Sequence, residues 1–254
     1  MQIAPILHAL CLLLLCLAGA MSLPFFIAYF SGGPESLPLL LSLLCTGAAG
    51  LLGVLVSRRR IDIGARPEIG LREGFVIVTA GWILFSAFGA LPFYFTGMLP
   101  SYTDAFFEAM SGFTTTGATV LTDIEGQPLA LHFWRSFIQW LGGMGIIVLS
   151  LAILPMLGVG GMQLYKAEVP GPVPDRLAPR IRQTARLLWG LYVLLSAAEV
   201  LVLFLLGMPF VDALLHTFTT MATGGFSPKA ASIGAYQSAA IDTVLIIFMF
   251  LAGA

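Results

Sequence analysis

The stretch from Asp104 to Leu121 reads DAFFEAMSGFTTTGATVL. It sits between two apolar segments, one ending near Gly97 and the next running from about Phe137. It is too polar to face lipid and has too few charges for an ordinary solvated loop. Asp104 is placed to cap a helix through its side-chain oxygen. Ala105 to Ser111 then gives about two helical turns, Gly112 ends them, and Thr114-Thr115-Thr116-Gly117 follows as extended backbone. Two turns cannot cross a hydrocarbon core of ~30 Å, yet Phe106, Phe107 and Met110 favour entry into the membrane zone. Non-helical backbone at that depth is tolerated only where protein buries it or where it lines a watery cavity. The stretch is therefore predicted to dip into the membrane and return to the same side.

The rest of the chain supports a membrane reading. Of 254 residues, 58% are hydrophobic and 10% charged, with mean hydropathy +0.96. Six apolar segments are expected, at about Ile6–Phe30, Leu37–Val56, Gly74–Gly97, Phe137–Met156, Leu187–Met208 and from Ala239 onward. The first lacks a basic leader and is longer than a signal-peptide core, so it reads as a retained anchor. The last has two readings, a re-entrant end or a helix cut short, of which the second is favoured. The cysteines Cys11, Cys16 and Cys45 all lie in apolar segments without metal-ligand spacing.

Charge gives the orientation. Arg58, Arg59, Arg60, Arg66 and Arg72 lie between segments two and three, and Lys166, Arg176, Arg180, Arg182 and Arg186 between segments four and five; only Arg135 and Lys229 lie elsewhere. The positive-inside rule puts both basic loops and the N-terminus in the cytoplasm. Trp134, Trp140, Tyr94 and Tyr102 are expected in an outer aromatic belt.

The opening pattern recurs. DALLHTFTTMATGGFS starts at Asp212, so that Asp104 answers to Asp212, Ala105 to Ala213 and Gly117 to Gly225. A repeated unit of helix, hairpin and helix follows. A short helix aimed inward points its negative end at the membrane centre, which favours a cation there. Backbone carbonyls beyond it can replace an ion's hydration shell. Glycine permits the backbone angles that turn carbonyls to one axis, and threonine suits extended backbone. The candidate ion ligands are Thr115, Thr116 and Gly117 in the first strand and Thr223, Gly224 and Gly225 in the second. The competing reading of either hairpin is a packed connector between helices.

Other residues bear on alternatives. Glu199 falls mid-segment, where a carboxylate costs about 2.5–3.5 kcal/mol on insertion scales. It reads either as a midplane site of an ion-coupled secondary carrier or as a protonated structural group. Glu108 answers to His216; both could support the strands from behind or simply sit at the mouth. Gly142, Gly143, Gly145, Gly158, Gly160 and Gly161 allow close helix approach, and Pro155 between them is a candidate kink. His8, His132 and His216 are scattered, and no nucleophile–base or metal constellation suggests an enzyme. No basic run suggests nucleic acid.

At SGFTTTGATVL, at WLGGMGIIVLSLAILPMLGVGGMQLYKAEVPGP (Trp140 to Pro172) and at ATGGFS with ASIGAY beyond it, the sequence resembles the Trk/Ktr/HKT superfamily of potassium and sodium transporters, in particular its bacterial TrkH-type subunits. The resemblance covers nearly the whole chain. It implies an all-α polytopic membrane protein in which helix–pore-hairpin–helix repeats follow two extra helices, with four repeats around one pore. It divides this chain into two N-terminal helices over 1–60, a first repeat over 70–165, a cytoplasmic loop over 166–186 and a second repeat over 187–254 that lacks most of its last helix. The chain is then expected to be about half of a transporter and not to conduct alone. The resemblance further implies transported K+ at Thr115, Thr116, Thr223 and Gly224 with no other cofactor. It implies a homodimer in the lipid of the bacterial inner membrane, with a cytoplasmic nucleotide-binding partner of the TrkA type. The basic loops read equally well as docking surfaces for that partner and as topology signals.

Overall fold

The computed structural model describes residues 3–59, 70–153 and 177–253. Its helices are α1 (Ile3–Ser31), α2 (Ser36–Arg58), α3 (Leu71–Gly89), α4 (Leu91–Phe95), α5 (Tyr102–Phe113), α6 (Leu129–Ile153), α7 (Leu177–Leu205), α8 (Phe210–Met221) and α9 (Ala239–Gly253), with a 3-10 turn at Ser232–Tyr236. Among the described residues four spans, Ile3–Ser31, Ser36–Arg58, Arg72–Phe95 and Gln183–Leu205, are long and apolar enough to cross a membrane. In lipid the backbone must satisfy its own hydrogen bonds, which charge-free runs achieve as helices. Pro155, Gly158, Gly160, Gly161 and, of the loop arginines and lysines, Arg60, Arg66, Lys166 and Arg176 lie outside the described residues.

α1 and α2 form an antiparallel hairpin. The chain turns at Gly32, whose φ is +67°, and the Gly33 N–H donates back to the Ala28 carbonyl at 3.0 Å. Small residues let the two helices approach. A side chain on Gly50 would meet Leu15 at 3.0 Å and the Cys11 carbonyl at 3.1 Å, while one on Gly53 would overlap the Cys11 sulfur. Across the same seam the buried Thr46 hydroxyl donates to the Met21 sulfur at 3.5 Å, and His8 Nδ1 meets the Ser57 hydroxyl at 3.0 Å.

This pair packs through α1 against α3 and α6. The largest buried cluster joins Met21, Phe93, Ala109, Phe113, Trp134 and Ile138, so the first hairpin is wedged into the core. Two of the four expected belt aromatics are not in a belt. Trp134 is fully buried and donates from Nε1 to the Gly89 carbonyl at 3.0 Å. Trp140 packs among Phe137, Tyr192 and Phe218 and donates to the Ser196 hydroxyl at 3.1 Å. Each indole N–H finds a partner inside, which suits burial better than a wet interface. Tyr94 and Tyr102 are exposed and meet edge to face, in keeping with a belt position.

The fourth segment starts earlier than its apolar run suggested. α6 begins at Leu129 and carries His132, Arg135 and Gln139 inside the protein. Polar side chains hid its first turns from a reading based on hydropathy.

The α1–α2 seam gives a direct test. Gly50→Leu should overpack it and cost about 1–3 kcal/mol, seen as a lower melting temperature in detergent. Gly19→Ala, where a side chain meets nothing within 4 Å, should melt like the unaltered protein.

Candidate functional site

Each hairpin begins with a helix of 12 residues, about 18 Å long at 1.5 Å per residue and too short to span. The first is capped by Ser101, whose hydroxyl accepts from the Thr103 N–H at 3.2 Å, and not by Asp104. Asp104 lies inside the first turn, where a carboxylate still favours the positive helix end. Gly112 belongs to the helix and does not end it. Its lack of a side chain admits Ile138 of α6.

The two helices end alike. In the first, the Thr115 N–H donates to the Gly112 carbonyl at 3.0 Å and the Thr116 N–H to the Ser111 carbonyl at 2.9 Å. In the second, the Thr223 N–H donates to Thr220 at 2.9 Å and the Gly224 N–H to Thr219 at 2.9 Å. This pair of reversed bonds closes a helix when the next residue takes the left-handed conformation. That residue is usually glycine. Here it is threonine both times, with φ +54° at Thr115 and +56° at Thr223. A β-branched residue in that region carries strain of about 1–3 kcal/mol. Two residues on, Gly117 and Gly225 also have positive φ, +76° and +79°. The repeat read from the sequence thus extends to individual backbone torsions.

The strands meet. A side chain on Gly117 would overlap the Gly224 carbonyl oxygen, so only glycine permits this approach. Thr116 and Gly225 are exposed, and Thr115, Gly117 and Gly224 half-buried. Among the described residues, no N–H or hydroxyl donates to the carbonyls of Thr115, Thr116, Gly117, Thr223, Gly224 or Gly225. The next carbonyl along, of Ala118, is taken by the Ser111 hydroxyl at 2.6 Å.

Behind the first strand lies a buried ion pair. Glu108 and Arg135 are both almost fully buried, with Nε to Oε1 at 2.6 Å. Glu108 also accepts from the Thr119 hydroxyl at 2.9 Å and the Val120 N–H at 3.1 Å. Arg135 reaches on to the second hairpin. It donates to the Ser227 carbonyl at 3.0 Å, and its guanidinium lies 3.8 Å from the centre of the Phe226 ring. Glu108 therefore supports its strand from behind. His216 does not repeat that role. The Tyr236 hydroxyl donates to Asp212 at 2.9 Å and lies 3.3 Å from His216 Nε2. Burial pushes the Tyr236 phenol up, and the bond to Asp212 and that residue's charge add to the shift, so the phenol keeps its proton.

Further along α6, Gln139 is fully buried and its Oε1 accepts from the Phe226 N–H at 3.1 Å. One turn beyond, Gly142 admits the Phe113 carbonyl, and a side chain on Gly143 would meet Ala222 at 2.8 Å. These glycines give way to hairpin backbone. A side chain on Gly143 would also meet the Tyr192 hydroxyl of α7 at 2.9 Å, and Gly145 is set against Trp82 of α3 at 3.4 Å. The sequence sets Arg135 apart from the two basic loops, and hydropathy gives Gln139 no weight. Their spacing with Gly142 and Gly143 puts all four on one helix face, a pattern that is visible in the sequence for a helix beginning at Leu129.

Two short helices, each ending in a left-handed threonine and unclaimed carbonyls and followed by a returning helix, define a polytopic membrane protein built of repeated helix–hairpin–helix units. Residues 57–254 match the TrkH family, cation transport proteins, and the chain belongs to that family. It is 52% identical over 190 residues to the Trk system potassium uptake protein TrkH of Salmonella typhimurium, covering 74% of this chain and 39% of that protein. It is 44% identical over 253 residues to the TrkH of Halomonas elongata, covering 99% of this chain and 52% of that one. The crystal structure of the potassium transporter TrkH from Vibrio parahaemolyticus superposes with TM-score 0.83 at 36% identity, over 99% of this chain and 50% of that chain. The chain spans about half the length, or less, of the curated relatives it matches.

The ion pair makes a quantitative prediction. Glu108→Ala strands a buried guanidinium and should cost about 3–5 kcal/mol. Glu108→Leu with Arg135→Leu should cost clearly less than the sum of the two single changes, read from melting in detergent as a double-mutant cycle.

Proposed function

We propose that this chain supplies two of the carbonyl-lined strands through which potassium crosses the bacterial inner membrane. The ion ligands are the main-chain oxygens of Thr115, Thr116 and Gly117, and of Thr223, Gly224 and Gly225. The observation that carries the reading is the set of carbonyls left without donors on two strands of matching torsions. Unpaired backbone carbonyls in lipid are costly, and a dehydrated monovalent cation is a natural partner for them. No covalent chemistry is involved. Neutral oxygens hold the ion loosely enough to release it to the next site.

The wider arrangement follows from the same reading. The N-terminus and both basic loops face the cytoplasm. The divisions 1–60, 70–165, 166–186 and 187–254 mark two leading helices, one repeat, a basic loop and a second repeat. A homodimer with a TrkA-type nucleotide-binding partner docked at the basic loops would complete the system. It is supported by family membership and by the concentration of arginine in those loops.

A second reading, an ion-coupled carrier, rests on Glu199. Its carboxyl is fully buried in α7, where the Thr220 hydroxyl is the neighbouring donor but closes no hydrogen bond of good geometry with either oxygen. A carrier would use that group to bind or release the coupling ion. A pore needs it only as a neutral, packed acid. On the pore reading, Glu199→Gln retains potassium uptake and its dependence on external pH. Loss of uptake with Glu199→Gln at normal protein levels would favour the carrier.

Rubidium uptake tests the main reading. The intact transporter containing this chain should restore rubidium uptake to a potassium-uptake-deficient bacterium. Gly117→Ser, which sets a side chain against the Gly224 carbonyl at a positive φ, should reduce potassium-over-sodium preference at least about tenfold, the equivalent of 1.4 kcal/mol. An unchanged preference would remove Gly117 from the ion path.

A further inference from the structure

The two repeats differ where α6 and α9 meet the strands, and the difference falls on Gln139. The returning helices begin at Leu129 and Ala239 and carry WLGG (Trp140 to Gly143) and FLAG (Phe250 to Gly253) at the same distance from their starts. In that register Arg135 answers to Leu245 and Gln139 to Met249. The same architectural position is thus filled once by an amide and once by a thioether. The amide is fully buried, whereas Met249 is 58% exposed and lines a cavity of about 430 Å³ beside Thr220, Thr223, Gly224 and Gly225.

The amide lies between the strands. Oε1 takes the Phe226 N–H at 3.1 Å. The side chain lies so close to Gly224 that a Cβ there would come within 2.5–2.7 Å of its amide atoms. Nε2 approaches Gly117, 3.8 Å from where a side chain on that residue would begin, and closes no hydrogen bond. A buried donor left unpaired costs about 1–3 kcal/mol. Stability alone gives the amide no net advantage here, since the bond to the Phe226 N–H is offset by the unpaired Nε2.

We propose that Gln139 is the positioning residue that sets ion preference at the junction of the first two strands. It touches no ion. It holds the Phe226 N–H and bears on Gly224, so the Gly224 carbonyl stays against Gly117 and the carbonyl spacing at that level is fixed. Arg135, one turn earlier on the same face, fixes the outer part of the same junction through Ser227 and Phe226. Discrimination between potassium and sodium depends on how many carbonyls surround the ion and how firmly they are held. A residue that controls their spacing without contributing a ligand therefore acts on selectivity more than on total flux. The inference rests on the carbonyl-pore reading above.

The experiment is Gln139→Met, which installs the second repeat's own residue, in the intact transporter. Gln139→Ala is read beside it because it only removes atoms. Rubidium and sodium uptake are measured per amount of protein in the membrane. Potassium-over-sodium preference should fall about tenfold in both variants, with the KM for potassium rising and the maximal rate changing less than twofold. Gln139→Glu keeps an acceptor for the Phe226 N–H and should retain more of the preference than either. A preference unchanged in both Met and Ala variants, or rubidium and sodium fluxes that fall in parallel, overturns the proposal. Failure of the unaltered transporter to take up rubidium would instead overturn the pore reading itself, so the two failures are distinguishable.

Discussion

A chain that leaves the helical conformation inside a membrane must find partners for its backbone within the protein. In this structure α6 provides them. Arg135, Gln139, Gly142 and Gly143 share one face, and that face is wedged between the two hairpins. The charged end binds Glu108 of the first hairpin and the Ser227 carbonyl of the second. The glycine end gives way to the backbone of Phe113 and Ala222. A buried guanidinium is stable only when its charge and its donors are both engaged, so the Glu108–Arg135 pair ties the helix, the first strand and the second strand into one unit.

The strain in the strands makes sense against that support. Threonine at φ near +55° is unfavourable by itself, and it occurs at both helix ends. The reversed hydrogen bonds to Ser111 and Thr219 hold the backbone there, and the Ser111 hydroxyl secures Ala118. What remains free is a short run of carbonyls in each hairpin. Strain that persists because the surroundings over-determine it tends to mark a working site, and here it lies two residues before Gly117 and one before Gly224, the glycines at which the strands touch.

Much of this was legible in the sequence. Helices emerged from charge-free runs, the repeat from Asp104 against Asp212, and the special glycines from Gly117 against Gly225. What was not legible has physical causes. Ser101 and Asp104 are both good capping residues three positions apart, and nothing in their order shows which of them the helix uses. Positive φ at Thr115 and Thr223 could not be guessed, because threonine is chosen against in that region. Arg135 is not recognisable as a buried helical residue because His132, Arg135 and Gln139 dilute the hydropathy of the first turns of α6. Trp134 and Trp140 looked like interface anchors because sequence shows an indole but not the buried Gly89 carbonyl or Ser196 hydroxyl that it meets. Glu108 and His216 occupy matching places yet take different partners, which no alignment of the two hairpins would reveal.

The most direct measurement is the position of an anomalous scatterer. Crystals of the intact transporter grown in rubidium should show anomalous density lying between the main-chain oxygens of Thr115 to Gly117 and those of Thr223 to Gly225, with Glu199 and the lipid-facing surfaces unoccupied. Rubidium density beside the Glu199 carboxyl, with none along the two strands, would contradict the account.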